Sequence, residues 1–582
     1  MFEKKIGEVR PNQLITTYGP GSIIDAVNDS LTVLDLSFWT DKGVEISDVR
    51  LSNYLKVQKL YTPKAGGKED IPVTSFPYYH VCTNASCRAL FDVRETFDGE
   101  LYKQTQGQVK CPHCSWDAFP ARFITICENG HMDDFPWRWW VHRGDTHCNK
   151  TMRLKSTGKT SSLAELVVEC DCGVPARTML GAMSKENFEG LSCTGNHPHR
   201  PGYKHEKCNK KAIPSQRGAS NVYFSVPKNA ISIPPWTNPI NEIMSANRPT
   251  IDALATMGQA GIDQAYNLFF SGYSREEFDE AYKRLSEDIK EFTDLKEMEY
   301  AAITHHDDVK YQHDVKYFKA EEVALMSSLT QYICRVIKIH RLREVRVLTG
   351  FTRLESAEPD VEDGPRICKL KAGQGEKWLP AVAINGEGIF IELNRQAISR
   401  WMSDPRVSDR SQKYVKCYSS YCESKGWEHF KTRNAEYVLL HTLSHMLIKE
   451  MALISGYSSA SLSERIYSSD DMCGLLIYTG AADKEGSLGG LVELGSMKKF
   501  VPLLKQALEN GLTCTTDPEC FMKNPTSERL NGAACHSCTM ISETACECGN
   551  RLLDRAFVIP IPEHEQMAYF RGLVNDLCGI QI

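Results

Sequence analysis

The chain has 582 residues, 42% hydrophobic and 24% charged, with 68 Lys and Arg against 74 Asp and Glu. At about 150 residues per domain this length predicts roughly four domains, and the composition is that of a globular protein with enough chain to bury a large core. A net charge of −6 excludes a uniformly basic nucleic-acid coat, though not a local basic face.

The most apolar run, Tyr437 to Ile454, is broken by His441, His445, Lys449 and Glu450, which argues against a membrane span. The opening MFEKKIGEVRPNQ lacks the apolar stretch of a secretory signal. A cytoplasmic protein with no membrane partner is expected. The 22 cysteines are then expected as thiols rather than disulfides. Ten fall between Cys82 and Cys208 and six between Cys514 and Cys548, and clusters of that kind predict metal sites.

In chain order, Tyr18-Gly19-Pro20-Gly21-Ser22 predicts a loop and Leu31 to Phe38 a strand. Residues 76 to 235 are rich in Cys, His and Trp and poor in long periodic runs. Helical periodicity dominates from 236 to 345, where Ser274-Arg-Glu-Glu277 has capping-box spacing ahead of an amphipathic run to Phe292. Strands are expected at Ala381–Ile384, Gly388–Leu393 and Leu475–Tyr478. A buried helix is expected over 437–454, a second capping box at Ser461-Leu-Ser-Glu464, and a helix near 490–510. The predicted fold class is therefore α+β and multidomain. It comprises an N-terminal mixed segment (1–75), zinc-ribbon-like lobes (76–235), a helical middle region (236–345) and an α/β C-terminal domain (346–582) closed by a Cys-rich zinc knot.

Cys82-x4-Cys87 and Cys111-x2-Cys114 are two knuckles 23 residues apart. This is zinc-ribbon spacing, in which each knuckle supplies two thiolates to one tetrahedral ion. Cys127-x3-His131 and His147-Cys148 flank the aromatic stretch Phe135 to Trp140 and could form a second site. Cys170, Cys172, Cys193 and Cys208 make a further set of four, with His197, His199 and His205 near enough to substitute. At the C-terminus Cys514, Cys520, Cys535 and Cys538 form two pairs, with Cys546 and Cys548 close behind. Spacing leaves open which four of these six bind. None of the sets has the open position of a catalytic zinc.

Three enzyme motifs are incomplete. Gly158-Lys159-Thr160 would end a phosphate-binding loop, but Arg153 stands where that loop needs glycine. His441-x3-His445 has zinc-protease spacing, but Thr442 replaces the general-base glutamate; on so apolar a helix these histidines are read as core groups. The loop Asp483 to Gly490 is read as a plain connection, although its amides could take an anion. A metal-dependent nuclease using His441, His445, Glu464 or Asp483 is the alternative, and a scaffold without DNA contact a third reading.

Basic charge is local. Lys150 to Arg217 holds 12 Lys and Arg against 6 Asp and Glu. Lys204, Lys207, Lys210, Lys211 and Arg217 crowd one cysteine loop, and Arg341, Arg343 and Arg346 form a second run. These are the candidate DNA-binding residues, through phosphate contacts. Trp137, Trp139 and Trp140 could stack bases, but packing within a zinc lobe is the preferred reading.

Five segments carry a family resemblance: Arg10 to Ser22, Cys127 to Trp137, Arg217–Asn221 with Ile231–Trp236, His441 to Tyr467, and Gly532–Cys538 followed by Asn550–Asp554. Together they resemble the DrmB family, core subunits of DISARM anti-phage systems. Cys514, Cys520, Cys535 and Cys538 also resemble the four cysteines of the zinc-binding domain that ends MrfA-type DNA-repair helicases. The family's two-residue spacer is replaced here by Cys170-x-Cys172. The resemblance implies a non-catalytic, zinc-binding subunit that works with a DrmA-like helicase and engages DNA.

Overall fold

The computed structural model describes residues 8–579 apart from 27, 64–70, 97–107, 159, 161, 286–288, 309–310, 312–315, 359–363, 365, 376, 428–429 and 480–488. At its centre runs the 20-residue strand Ile333–Thr352. It pairs antiparallel with Phe224–Ile231 on one side and with Trp378–Leu393 on the other. Cys473–Thr479 and then Leu462–Ser468 extend the sheet from Trp378–Leu393, again antiparallel. The strand Lys59–Thr62 runs parallel to the start of Trp378–Leu393. The main sheet thus draws strands from before position 75 and from before position 236 as well as from the C-terminal half.

The strands expected at Ala381–Ile384 and Gly388–Leu393 are one element, because Asn385-Gly-Glu continues the ladder to Arg343 and Leu342. Leu462–Ser468 replaces the expected capping box. Ser461 and Glu464 do not close a helix turn, because the β-branched and aromatic residues after them pair with Cys473–Thr479. The strand expected over Leu31–Phe38 ends at Val33 and gives way to the 3-10 turn Leu36–Phe38, where Asp35 accepts from the Leu36 amide.

Helix Ala435–Ser455 lies against this sheet. Asn434 caps its start by accepting from the Tyr437 amide, and Gly456 ends it at φ 71°, a left-handed position that suits glycine. Val438, Leu439 and Leu447 share one buried hydrophobic core with Leu475, Ile477, Ile389 and Ile391. The helix is apolar on most faces because all of it up to Ile448 is buried, and only its last turn, with Leu453 and Ile454, reaches the surface. Among the described residues it alone has the length and hydropathy to cross a membrane, and most of it is inside the core.

In the helical region Ser274 and Glu277 form the expected capping box, each side chain accepting from the other's amide, ahead of helix Arg275–Leu285. The amphipathic run does not continue unbroken to Phe292, where a separate helix, Phe292–Thr304, begins. The Cys-rich part is built on a six-stranded antiparallel sheet that includes Tyr79–Cys82, Ala89–Asp92, Met152–Ser156 and Leu166–Cys170. Trp137 and Trp140 are 1% and 0% exposed in its core, and Trp139 stacks on Phe188 at 5.5 Å between ring centroids. The Arg177 guanidinium lies 3.5 Å from the Trp140 ring centroid. The tryptophans therefore pack the lobe, as preferred, and are not a base-stacking platform.

Candidate metal centres

Four thiolates around one zinc, each about 2.3 Å from it, lie about 3.8 Å from one another, whereas a disulfide holds its sulfurs near 2.0 Å. No disulfide occurs among the described cysteines, and the four groups with three or more cysteines described next approach the first spacing.

Cys82 and Cys87 come from a hairpin, Tyr79–Cys82 with Ala89–Asp92, and meet Cys111 and Cys114 with sulfurs 3.4 Å (Cys82–Cys114) and 3.8 Å (Cys87–Cys111) apart. The Trp116 amide, and after it hydrogen bonds from the thiols of Cys82, Cys87 and Cys111, hold the Cys114 thiol down at about 7, which favours the thiolate that a metal needs.

The next two groups divide the donors differently from the expectation. Cys193 and Cys208 do not join Cys170 and Cys172. They meet Cys127 and His131, with all four donor atoms within 4.8 Å of one another. His131 turns Nδ1 to Cys127 Sγ at 3.2 Å and Nε2 to the Glu206 carboxylate at 3.3 Å, the carboxylate–histidine arrangement that orients a metal-binding imidazole. The amide of Gly195 donates to Cys193 Sγ at 3.3 Å. Gly195 has φ +70°, and a Cβ there would lie 1.7 Å from the Glu206 carbonyl oxygen, so this turn requires glycine. None of His197, His199 and His205 belongs to this foursome.

Cys170 and Cys172 instead join Cys148 and His142. His142 Nδ1 donates to the Arg138 carbonyl at 2.7 Å, leaving Nε2 facing Cys172 Sγ at 3.4 Å. His147, paired with Cys148 on adjacency alone, is exposed and outside the group. His142 was missed by sequence reasoning; its only signal was a histidine in the last turn of the aromatic helix Trp137–His142, just before Cys148.

At the C-terminus the four are Cys514, Cys520, Cys535 and Cys538, with sulfurs 3.4 Å (Cys514–Cys535) and 3.7 Å (Cys520–Cys538) apart. Arg555, fully buried, braces this knot by donating to the Gly511 carbonyl at 2.7 Å and to Asp517 at 3.0 Å. Cys548 is not a fifth donor; its sulfur contacts the Tyr437 hydroxyl at 2.8 Å. Cys546 leaves the knot as well, and faces His441, His445 and Glu464.

The candidate DNA-binding residues separate by exposure. Lys204, Lys207 and Lys211 are exposed around Cys208. Lys210 pairs with Glu128 at 2.6 Å. Arg217 is structural: it pairs with Asp25 at 2.9 Å and donates to the carbonyls of Pro120 and Ala121. Arg343 and Arg346 are not surface cations either. They lie on the central strand, where Arg343 is 8% exposed over the Tyr317 ring and Arg346 pairs with buried Glu344 at 2.9 Å. Arg341, on the same strand, is exposed. Gly158 and Thr160 lie in a surface turn, while Lys159 and most of the Asp483–Gly490 loop fall outside the described residues.

Residues 10–224 match the profile of a domain of unknown function (DUF8724), and residues 443–539 match that of the MrfA Zn-binding domain. The second span contains Cys514, Cys520, Cys535 and Cys538, so the chain carries a zinc-binding domain and zinc is its cofactor. A crystal structure of the DUF1998 helicase MrfA bound to DNA is 13% identical, with a TM-score of 0.18, over 38% of this chain and 23% of the helicase. The DISARM protein DrmB of Bacillus paralicheniformis is 42% identical over 570 residues, covering 95% of this chain and all of the relative. At that identity and coverage, the chain belongs to the DISARM DrmB family.

Proposed function

We propose that this protein is a non-catalytic, zinc-built subunit of DISARM defence that partners a DrmA-like helicase in the cytoplasm and contacts DNA through its Cys-rich lobe. Four zinc ions would sit in the four donor groups just described, each with four protein ligands and so without a position for substrate or activated water. Zinc there supplies rigidity, and the sheet and aromatic core hold each knuckle in place.

The observation that carries the DNA contact is Lys204, Lys207 and Lys211, all exposed on the loop that also bears Cys208. A metal at Cys208 would anchor that loop and present the three ammonium groups together. Charges so placed would contact phosphates without reading sequence. The hydrolase alternative has no support from the geometry, because His441, His445 and Glu464 are all 0% exposed at their side chains.

The test is the triple variant Lys204→Ala, Lys207→Ala, Lys211→Ala in complex with the helicase. If all three contact phosphates, the slope of log affinity against log salt flattens by about 2 to 3, at roughly 0.7–0.9 per contact, while the complex still assembles. An unchanged slope with intact assembly would leave the chain as a scaffold.

A further inference from the structure

His441 and His445 stand one turn apart on the inner face of helix Ala435–Ser455. Glu464 reaches them from strand Leu462–Ser468, and Cys546 from the C-terminal segment. Glu464 Oε1 lies 3.0 Å from His441 Nε2 and 3.3 Å from His445 Nε2, and Cys546 Sγ lies 3.2 Å from His441 Nε2. The four donor atoms fall within 4.8 Å of one another.

The outer atoms of this cluster decide what it can hold. His441 Nδ1 faces the Leu552 carbonyl at 3.3 Å, and His445 Nδ1 faces the Thr539 carbonyl at 3.0 Å. A carbonyl only accepts, so each Nδ1 carries the proton, and each neutral ring turns the lone pair of Nε2 inward. Two imidazole lone pairs, a carboxylate oxygen and a sulfur then converge in a buried space, where the Cys546 thiol is the one group among the four with a hydrogen to give.

The remaining contacts are those of a supported ligand set. Ser444 donates to Glu464 Oε2 at 2.6 Å, and the Glu547 amide donates to Oε1 at 3.1 Å. The amides of Cys548 and Asn550 donate to Cys546 Sγ at 3.3 and 3.2 Å. The first of these repeats the amide-to-sulfur bond, two residues on, seen at Cys111, Cys193 and Cys514.

We infer that His441, His445, Glu464 and Cys546 form a fifth metal site, a closed two-nitrogen, oxygen and sulfur set for zinc. Mixed nitrogen, oxygen and sulfur donors at tetrahedral spacing suit Zn²⁺ rather than a hard cation. The site joins three segments distant in sequence, and so ties the C-terminal knot to the core helix and the edge strand of the main sheet. It holds no open position and is structural.

Anomalous difference maps recorded on either side of the zinc absorption edge, from crystals of the full chain grown without chelator, test this on the native protein. A peak among His441 Nε2, His445 Nε2, Glu464 Oε1 and Cys546 Sγ is expected. Peaks at the cysteine-rich groups with none here would overturn the inference. Metal analysis gives a second reading: the Cys546→Ala chain, if folded, should hold one zinc fewer than the native chain. An unchanged zinc count in that folded variant would equally overturn it.

Discussion

Removing the carboxylate of Glu299 should destabilise the sheet edge more than any surface change. Arg465, next to Glu464 on strand Leu462–Ser468, points to the opposite face and is 0% exposed. It donates to Glu299 twice, at 2.5 and 2.9 Å, and Glu299 also accepts from the Ile231 amide at 2.9 Å and the Tyr467 hydroxyl at 3.1 Å. Glu299→Ala therefore leaves a buried guanidinium with only Glu547, at 3.9 Å, as a counter-ion, and breaking such a buried pair costs about 3–5 kcal/mol. Typical domain stability is about 5–15 kcal/mol, so the loss is a large fraction of the total. Hydrogen exchange of the backbone amides of residues 462–468 reads the local opening free energy directly, and it should fall by that amount. Glu299→Leu combined with Arg465→Met removes the charge as well as its partner and should recover at least about 2 kcal/mol of it. A double variant whose loss equals the sum of the two single losses would refute the reasoning.

Cys111→Ser and Cys535→Ser should each lower the zinc content by about one ion per chain and reduce soluble yield, because structural zinc binding is folding free energy of about 10–16 kcal/mol; full solubility with one zinc lost would contradict this. Burial raises the Asp134 carboxyl from 3.8 to about 7, against the pull of the Tyr79 and Tyr78 amides. Between those two pH values the folded chain keeps a proton that the unfolded chain has released, so this group lowers stability as pH rises through the window and adds no slope above it. Melting temperatures of Asp134→Asn across pH 4 to 8 should lack that decline, and curves parallel to those of the native chain would exclude the effect.

Much of this protein is written locally. Cys111-x2-Cys114 and Cys535-x2-Cys538 make knuckles whatever surrounds them, because two thiols two residues apart can reach one ion through a single turn. The core helix, the Ser274 box and the strand at Leu475–Tyr478 likewise follow from periodicity and side-chain chemistry within a few residues. Which knuckle meets which is a different matter. Cys127 and Cys193 are neighbours because Phe123–Ile126 pairs with Ile213–Gln216 while Ser192 bridges to Lys211, just ahead of that strand, and nothing in the spacing of the cysteines encodes that register. Arg343 and Arg346 look like a basic surface in sequence, yet strand pairing on both sides places them inside the sheet. His441 and His445 look like satisfied core groups until the chain returns, 105 residues later in the case of His441, to place Cys546 beside them. Side-chain type and short spacing therefore determined which residues could bind a metal; only the tertiary structure decided which of them share one, because that is set by contacts between segments far apart in the chain.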